Sequence, residues 1–159
     1  MKKESLEIRE ATIKDLSILT GFEQEVIRYE RPFAPNLKED PISYYNIKNF
    51  IEQENTYLVV AVINHEIVGS GYALIKDSAV YKKPAKYAYL GFMYVMPSHR
   101  GKGINGKIID SLINWSQKRR IHEIQLDVYA ENDSAIKAYK KRGFKPDLLK
   151  MRFNSKEEN

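Results

Sequence analysis

The sequence predicts a single α/β domain, and three observations carry that prediction. Two β-branched, apolar runs, residues 57–63 and 67–75, flank a two-residue turn at Asn64-His65, the signature of a tight hairpin. A long aromatic strand over 87–95 feeds a glycine-rich loop and then an amphipathic helix. A second strand-and-helix unit follows over 123–142. A chain of 159 residues fits one domain, and it has no repeat, low-complexity tract or linker that would divide it.

Residues 8–11 read as a short first strand. Thr12 with Asp15 has the hydroxyl and carboxylate spacing of a capped helix start. Leu16, Leu19, Phe22, Val26 and Ile27 then recur at helical spacing to about Arg28. Pro32, Pro35 and Pro41 mark a loop, and a second helix is predicted over 42–54 with Tyr45, Ile47, Phe50 and Ile51 as its apolar set. The hairpin comes next, then a loop at Tyr81-Lys82-Lys83-Pro84 and the aromatic strand, which ends before Pro97. Its aromatic residues Tyr87, Tyr89, Phe92 and Tyr94 read as core. Beyond the glycine loop, Ile104, Ile108, Leu112 and Trp115 form one helical stripe, closed by Lys118-Arg119-Arg120. Ile124, Leu126 and Val128 alternate with Gln125 and Asp127 in a strand over 123–129. A helix over 132–142 stops at Gly143. Residues 148–153 are predicted as a last strand and 154–159 as a frayed polar tail.

Composition excludes several chemistries. There is no cysteine, so disulfides, thiolate zinc sites and a cysteine acyl-enzyme are ruled out. His65, His99 and His122 join no cluster of ligand-type residues, so no metal is expected. Met1-Lys2-Lys3-Glu4 leads into no apolar run of signal length and no stretch is long enough to cross a membrane, so a soluble, cytoplasmic protein is expected. The net charge of +5 is unevenly spread. Residues 1–81 hold 9 basic and 13 acidic side chains, whereas residues 82–152 hold 16 and 6. A basic half suits a polyanionic partner such as a coenzyme, nucleotide or nucleic acid, and an acidic half suits an amine. A lopsided but merely solvated surface fits the same counts.

The loop reads Arg100-Gly101-Lys102-Gly103-Ile104-Asn105-Gly106-Lys107. The first turn of a helix presents N–H groups without helical acceptors and the positive end of the dipole. Glycines let that backbone curl and approach a ligand closely. Phosphate binding is the expected use, and a plain glycine turn into a helix is the plainer alternative. Gly101-x-Gly103-x-x-Gly106 satisfies the dinucleotide fingerprint, with Asp127 placed as its ribose acid. That fingerprint, however, opens its fold, whereas here a hairpin and two helices come first. Gly101 to Lys107 is also one residue short of a P-loop, but Ile108 stands where a magnesium-binding hydroxyl is required, so a nucleoside triphosphatase is rejected.

Two motifs resemble the GNAT superfamily of acyl-CoA N-acyltransferases. The first is Arg100-x-x-Gly103-x-Asn105 between a strand and a helix, with Asn105 where the family has Gly or Ala and Gly106 beside it. The second is Asn132-x-x-Ala135-x-x-x-Tyr139-x-x-x-Gly143-Phe144. The resemblance extends from about Thr56 to Phe153. It implies a mixed, twisted sheet of about six to seven strands flanked by about four helices, with splayed fourth and fifth strands that admit a pantetheine arm. It also implies acceptor-side helices over about 12–54 and an acetyl-CoA-binding core over about 86–144. In that scheme the backbone of Met93, Tyr94 and Val95 pairs with the pantetheine. The N–H groups of Gly101, Lys102, Gly103, Ile104, Asn105 and Gly106, with Arg100, hold the pyrophosphate. Asn132 and Ala135 lie along the cofactor and Tyr139 lies near its sulfur. The implied partners are acetyl-CoA, as cosubstrate, and a small-molecule or peptide amine. Dimers are common among such folds, which admits a homodimer; nucleic acid and membrane are not expected.

Acetyl transfer to an amine needs a neutral amine, a positioned thioester and a protonated leaving thiolate. Tyr139 is the candidate acid for the thiolate. Asn132, Ala135 and Tyr139 fall on one helical face, with Ala135 leaving room for a ligand. Packing alone would make Tyr139 a core aromatic and Asn132 a helix cap. The general base is not evident. The strand over 87–95 carries no carboxylate, Asp127 is one option, and Glu23, Glu25 and Glu30 read as surface charges of which one could meet a cationic acceptor. The enzyme reading therefore stands beside two alternatives, a basic nucleic-acid-binding domain and a small dinucleotide-binding protein.

Overall fold

The computed structural model describes residues 5–156. Met1-Lys2-Lys3-Glu4 and the last three residues of the expected tail, 157–159, lie outside the described residues. Two compact units divide the chain after Asp127.

The first unit is a five-stranded sheet with helices on both faces. Its strands are β1 (Leu6–Glu10), β2 (Thr56–Ile63), β3 (Glu66–Asp77), β4 (Lys86–Val95) and β5 (Ile124–Leu126), in that spatial order. The first four pair antiparallel and β5 runs parallel to β4. The sheet is mixed, as the resemblance implied, but among the described residues it has fewer strands than expected. One parallel pair among four antiparallel strands is also unlike the parallel sheet that a dinucleotide fold requires.

The hairpin turn is where the sequence placed it. Asn64 and His65 have φ of 50° and 67°, the paired left-handed conformation of a two-residue hairpin, and Ile63 pairs with Glu66 across it. Helix α1 (Leu16–Glu30) follows a short 3-10 turn in which the Asp15 carboxylate accepts from the Thr12 amide at 2.8 Å. The same carboxylate binds Arg9 at 2.8 and 3.0 Å, tying β1 to the start of α1. Helix α2 is only Ile47–Glu52, shorter than the predicted 42–54. The cause is tertiary. Glu23 of α1 accepts from the amides of Tyr44 and Tyr45 and from Ser43 Oγ, which holds residues 43–45 outside a helix, and Asn46 caps α2 through Asn49.

One face of the sheet packs on α1 and α2 through Leu19, Phe22, Val26, Ile47, Leu58, Val60, Tyr72, Phe92 and Tyr94. Helix α3 (Ile104–Lys118) covers the other face, where Ile108 and Leu112 approach the bare backbone of Gly71. Neighbouring residues of β2 such as Val59 and Val60 are therefore both fully buried.

The feature that positions the site is a bulge in β4. Ser70 pairs with Tyr94 and Tyr72 with Gly91, so β4 spends one extra residue opposite β3. Phe92 takes up the difference at φ 55°, and its carbonyl accepts from Ser70 Oγ at 3.0 Å. Just before the bulge, the pairing with β5 ends at Leu90 and Leu126. The rest of β4, Gly91 to Val95, runs on without β5 beside it. This stretch of β4 without a β5 partner is where the resemblance implied a splay of the fourth and fifth strands.

The second unit contains α4 (Asp133–Lys141), after which residues 144–154 form no helix or strand. The predicted strand over 148–153 does not form: no ladder includes these residues, and a strand without a partner has nowhere to place its amides. Strand β5 is likewise three residues, not the seven of 123–129. No helix among the described residues is long and apolar enough to cross a membrane.

Candidate active site

The loop between β4 and α3 begins with a 3-10 turn, Pro97–His99. Arg100 follows in extended conformation and donates from Nε to the carbonyl of Val95 at 2.9 Å, with its guanidinium 5.9 Å from the Tyr94 ring centre. This ties the loop back to the end of the strand. Gly101 and Gly103 then take φ of 78° and 79°, a conformation that only glycine adopts freely. Gly103 is the N-cap of the fifteen-residue α3 and supplies no side chain to cap it. Helices α2 and α4 are capped by Asn46 and Asn132, so the contrast is local. The loop from Arg100 to Gly103 is exposed and Ile104 is buried at 3% as the anchor of the helix. Main-chain donors and the positive end of α3 thus face outward at one turn, flanked by Lys102 and Lys107. Met93, Tyr94 and Val95, the predicted strand positions, lie on the part of β4 beyond the last pair with β5.

A second group of polar side chains occupies the same unit. Tyr89 donates to Asp127 Oδ2 at 3.1 Å. The parallel register explains this: Tyr89 pairs with Gln125, and Asp127 is two residues on, on the same side of the strand. Tyr45 packs on Tyr72 and Phe92, and Tyr72 neighbours Tyr89. Burial, and then the charge of Asp127, push the Tyr72 hydroxyl up to about 12. Burial raises Tyr89 further, with Asp127 adding to it, so Tyr89 keeps its proton and remains a donor. Half-buried Glu30 is raised by desolvation, against a hydrogen bond from Tyr44 that lowers it. Sequence reasoning took Tyr89 as a core aromatic; its hydroxyl is instead in a polar pair. The signal was present in the alternation of Gln125 and Asp127, but it needed the parallel pairing to be read.

The three glutamates of the first helix have different fates. Glu25 pairs with Arg28 at the surface at 2.7 Å. Glu30 is half-buried. Glu23, read as a surface charge, is 2% exposed and fully engaged in holding the loop before α2, because that loop's amides have no helical acceptors of their own.

In the second unit Asn132 is buried and caps α4, its Oδ1 accepting from the Ala135 amide at 3.3 Å. Ala135 and Tyr139 are half-buried on the same helical face, and Tyr139 meets Phe144 edge to face at 5.7 Å. Gly143, at φ 98°, ends the helix as predicted.

Residues 23–144 match the model of the Acetyltransferase (GNAT) family. Among curated proteins, the chain is 26% identical over 105 residues to N-alpha-acetyltransferase 30 of Schizosaccharomyces pombe, a match spanning 66% of this chain and 68% of that protein. Among solved structures it resembles the BH1408 protein of Bacillus halodurans, with a TM-score of 0.83 at 21% identity over 93% of this chain and 99% of that one. It also resembles a protein of Clostridium acetobutylicum described as a predicted acetyltransferase and solved with acetyl-CoA, with a TM-score of 0.72 at 22% identity over 94% and 96% of the two chains. The two structural likenesses speak for the fold.

Proposed function

The chain belongs to the GNAT acetyltransferase family and is an acyltransferase; from that premise we propose that it is one N-acetyltransferase domain that passes the acetyl group of acetyl-CoA to a primary amine by direct attack in a ternary complex. The observation that carries the reading is the uncapped start of α3, preceded by two glycines at positive φ and set at the end of the stretch of β4 that has no β5 partner. An uncapped helix start supplies main-chain donors to a diphosphate, with Arg100 and the lysines around it supplying charge. The acetyl-CoA in the Clostridium acetobutylicum structure supports the choice of cosubstrate. The backbone of Met93, Tyr94 and Val95 pairs with the pantetheine amides. Asn132 and Ala135 keep the cofactor contacts, and Tyr139 the acid role, that the family motif assigns them.

Among amines we put the α-amine of a polypeptide first, because N-alpha-acetyltransferase 30 is named for that chemistry. Chemistry supports the preference. An α-amine with a pKa of about 7.7–8.0 keeps a sizeable neutral fraction near neutral pH, whereas a lysine amine near 10.4 does not. Asp127, held by Tyr89, is the general base in this scheme. The amine nitrogen bonds to the thioester carbonyl carbon, its acidified proton passes to the Asp127 carboxylate, the C–S bond breaks, and Tyr139 protonates the departing thiolate.

An acceptor screen with acetyl-CoA, read by thiol release, tests the reading. Peptides with free N-termini are expected to release thiol, and the same peptides with blocked N-termini are not. Salt-sensitive binding to DNA or RNA without any binding of coenzyme A would favour the nucleic-acid alternative instead.

A further inference from the structure

Lys76 lies on β3, two residues beyond Leu74, which pairs with Tyr89 of β4. Side chains two apart on a strand share a face, so Lys76 is a diagonal neighbour of Tyr89 on the face that packs against α1 and α2. Its ammonium stands 4.6 Å from the centre of the Tyr89 ring, while the Tyr89 hydroxyl donates to Asp127 at 3.1 Å. Two opposite charges are thus held at one tyrosine, one at its ring and one at its hydroxyl. They do not neutralise each other directly, because no ion pair among the described residues includes Lys76. Asp77, the next residue in the chain, alternates to the other face and is taken by Lys86 at 2.6 Å. Glu30, the other carboxylate of the tyrosine cluster, accepts from Tyr44.

We propose that Lys76 selects acceptors with a carboxylate on the second or third residue, counting the one that bears the amine as the first. The inference rests on the reading of Asp127 as the group at which the amine docks. An extended chain advances about 3.3 Å per residue, so the two residues after a docked amine pass along the Tyr89 side chain. An Asp or Glu there comes within reach of the Lys76 ammonium and forms a charge-assisted pair with it. A Lys or Arg at the same positions meets a like charge. The substrate class is therefore an acidic N-terminal segment, chosen by charge and not by shape.

Steady-state kinetics on the full chain test this, with matched peptides that carry Glu, Gln or Lys at the second and third residues. At low salt kcat/KM is expected to be roughly tenfold higher for the Glu peptide than for the Lys peptide, mostly through KM, and the gap to narrow as salt is raised. Lys76→Glu is expected to reverse the order, Lys76→Gln to abolish it and Lys76→Arg to keep it. The Gln peptide should stay within a few-fold of wild type in all three variants; a merely structural hold on Tyr89 would instead lower every peptide alike. Equal kcat/KM for the Glu and Lys peptides, or an order that Lys76→Glu leaves unreversed, overturns the inference and leaves the acetyltransferase reading standing. Failure of every peptide to release thiol from acetyl-CoA overturns the peptide reading and this inference with it.

Discussion

Gly103 is the position at which backbone strain and ligand charge can be separated. It sits at φ 79°, and a Cβ built there meets nothing within 4 Å, so a substitution brings strain and charge but no clash. Gly103→Ala places an L-residue in the left-handed region and is expected to cost about 1–2 kcal/mol of stability. For a domain of this size that is a fall in Tm of roughly 2–8 °C. Gly103→Glu carries the same strain, partly offset by a carboxylate near the positive end of α3, worth about 0.3–1 kcal/mol. The two variants should therefore melt within a few degrees of each other. Toward a diphosphate they differ. A unit charge about 6 Å from two phosphate charges costs about 1.4 kcal/mol even at the dielectric of water, and several times more in a partly dry site. Gly103→Glu is thus expected to weaken coenzyme A binding at least about tenfold by calorimetry. Gly103→Ala should stay within a few-fold of wild type. Equal affinity of the Glu variant and wild type would refute the placement of the diphosphate at this helix start. Equal loss in both variants would mean that loop geometry, not charge, governs binding.

Three further outcomes follow. Tyr139→Phe is expected to lower turnover while leaving coenzyme A affinity near wild type; wild-type turnover would remove Tyr139 from the chemistry. Asp127→Asn is expected to cost about 10²- to 10⁴-fold in kcat, the usual worth of a general base, and Tyr89→Phe less, with acetyl-CoA affinity unchanged in both; kcat equal to wild type in Asp127→Asn would send the proton elsewhere. Asp15 is held below the usual carboxylate range first by its hydrogen bonds with Arg9 and also by the Thr12 amide, against a desolvation that raises it. A depressed folded value gives stability that is present above the unfolded value of about 3.9 and is lost as pH falls through the folded one. Acid denaturation of Asp15→Asn should accordingly show a shallower loss of stability in that window, and an unchanged slope would dissociate the pair from acid stability.

The sequence was most legible where one residue type answers one local demand. Asn64-His65 announced a hairpin because both residues tolerate positive φ. Gly101 and Gly103 announced a sharp loop, and the α1 and α3 stripes announced buried helix faces, for equally local reasons. What was hidden depends on partners distant in the chain. Residues 42–46 have helical character on paper, yet Glu23, about twenty residues earlier, takes the amides of Tyr44 and Tyr45 out of a helix. Residues 148–153 have a strand's alternation, but alternation says which face is apolar and not whether an edge is at hand. The Tyr89–Asp127 pair is set by a parallel register between residues 38 apart in the chain, which no local pattern records. Asn132 was open between a cap and a cofactor contact, and the cap is what its Oδ1 makes.

Amide hydrogen exchange with and without acetyl-CoA tests the central claim most directly. Strong protection concentrated in residues 101–106 and 93–95, with little change at the far edge strand β1, is the expected result. Exchange at those amides that does not respond to saturating acetyl-CoA would contradict the account at its root.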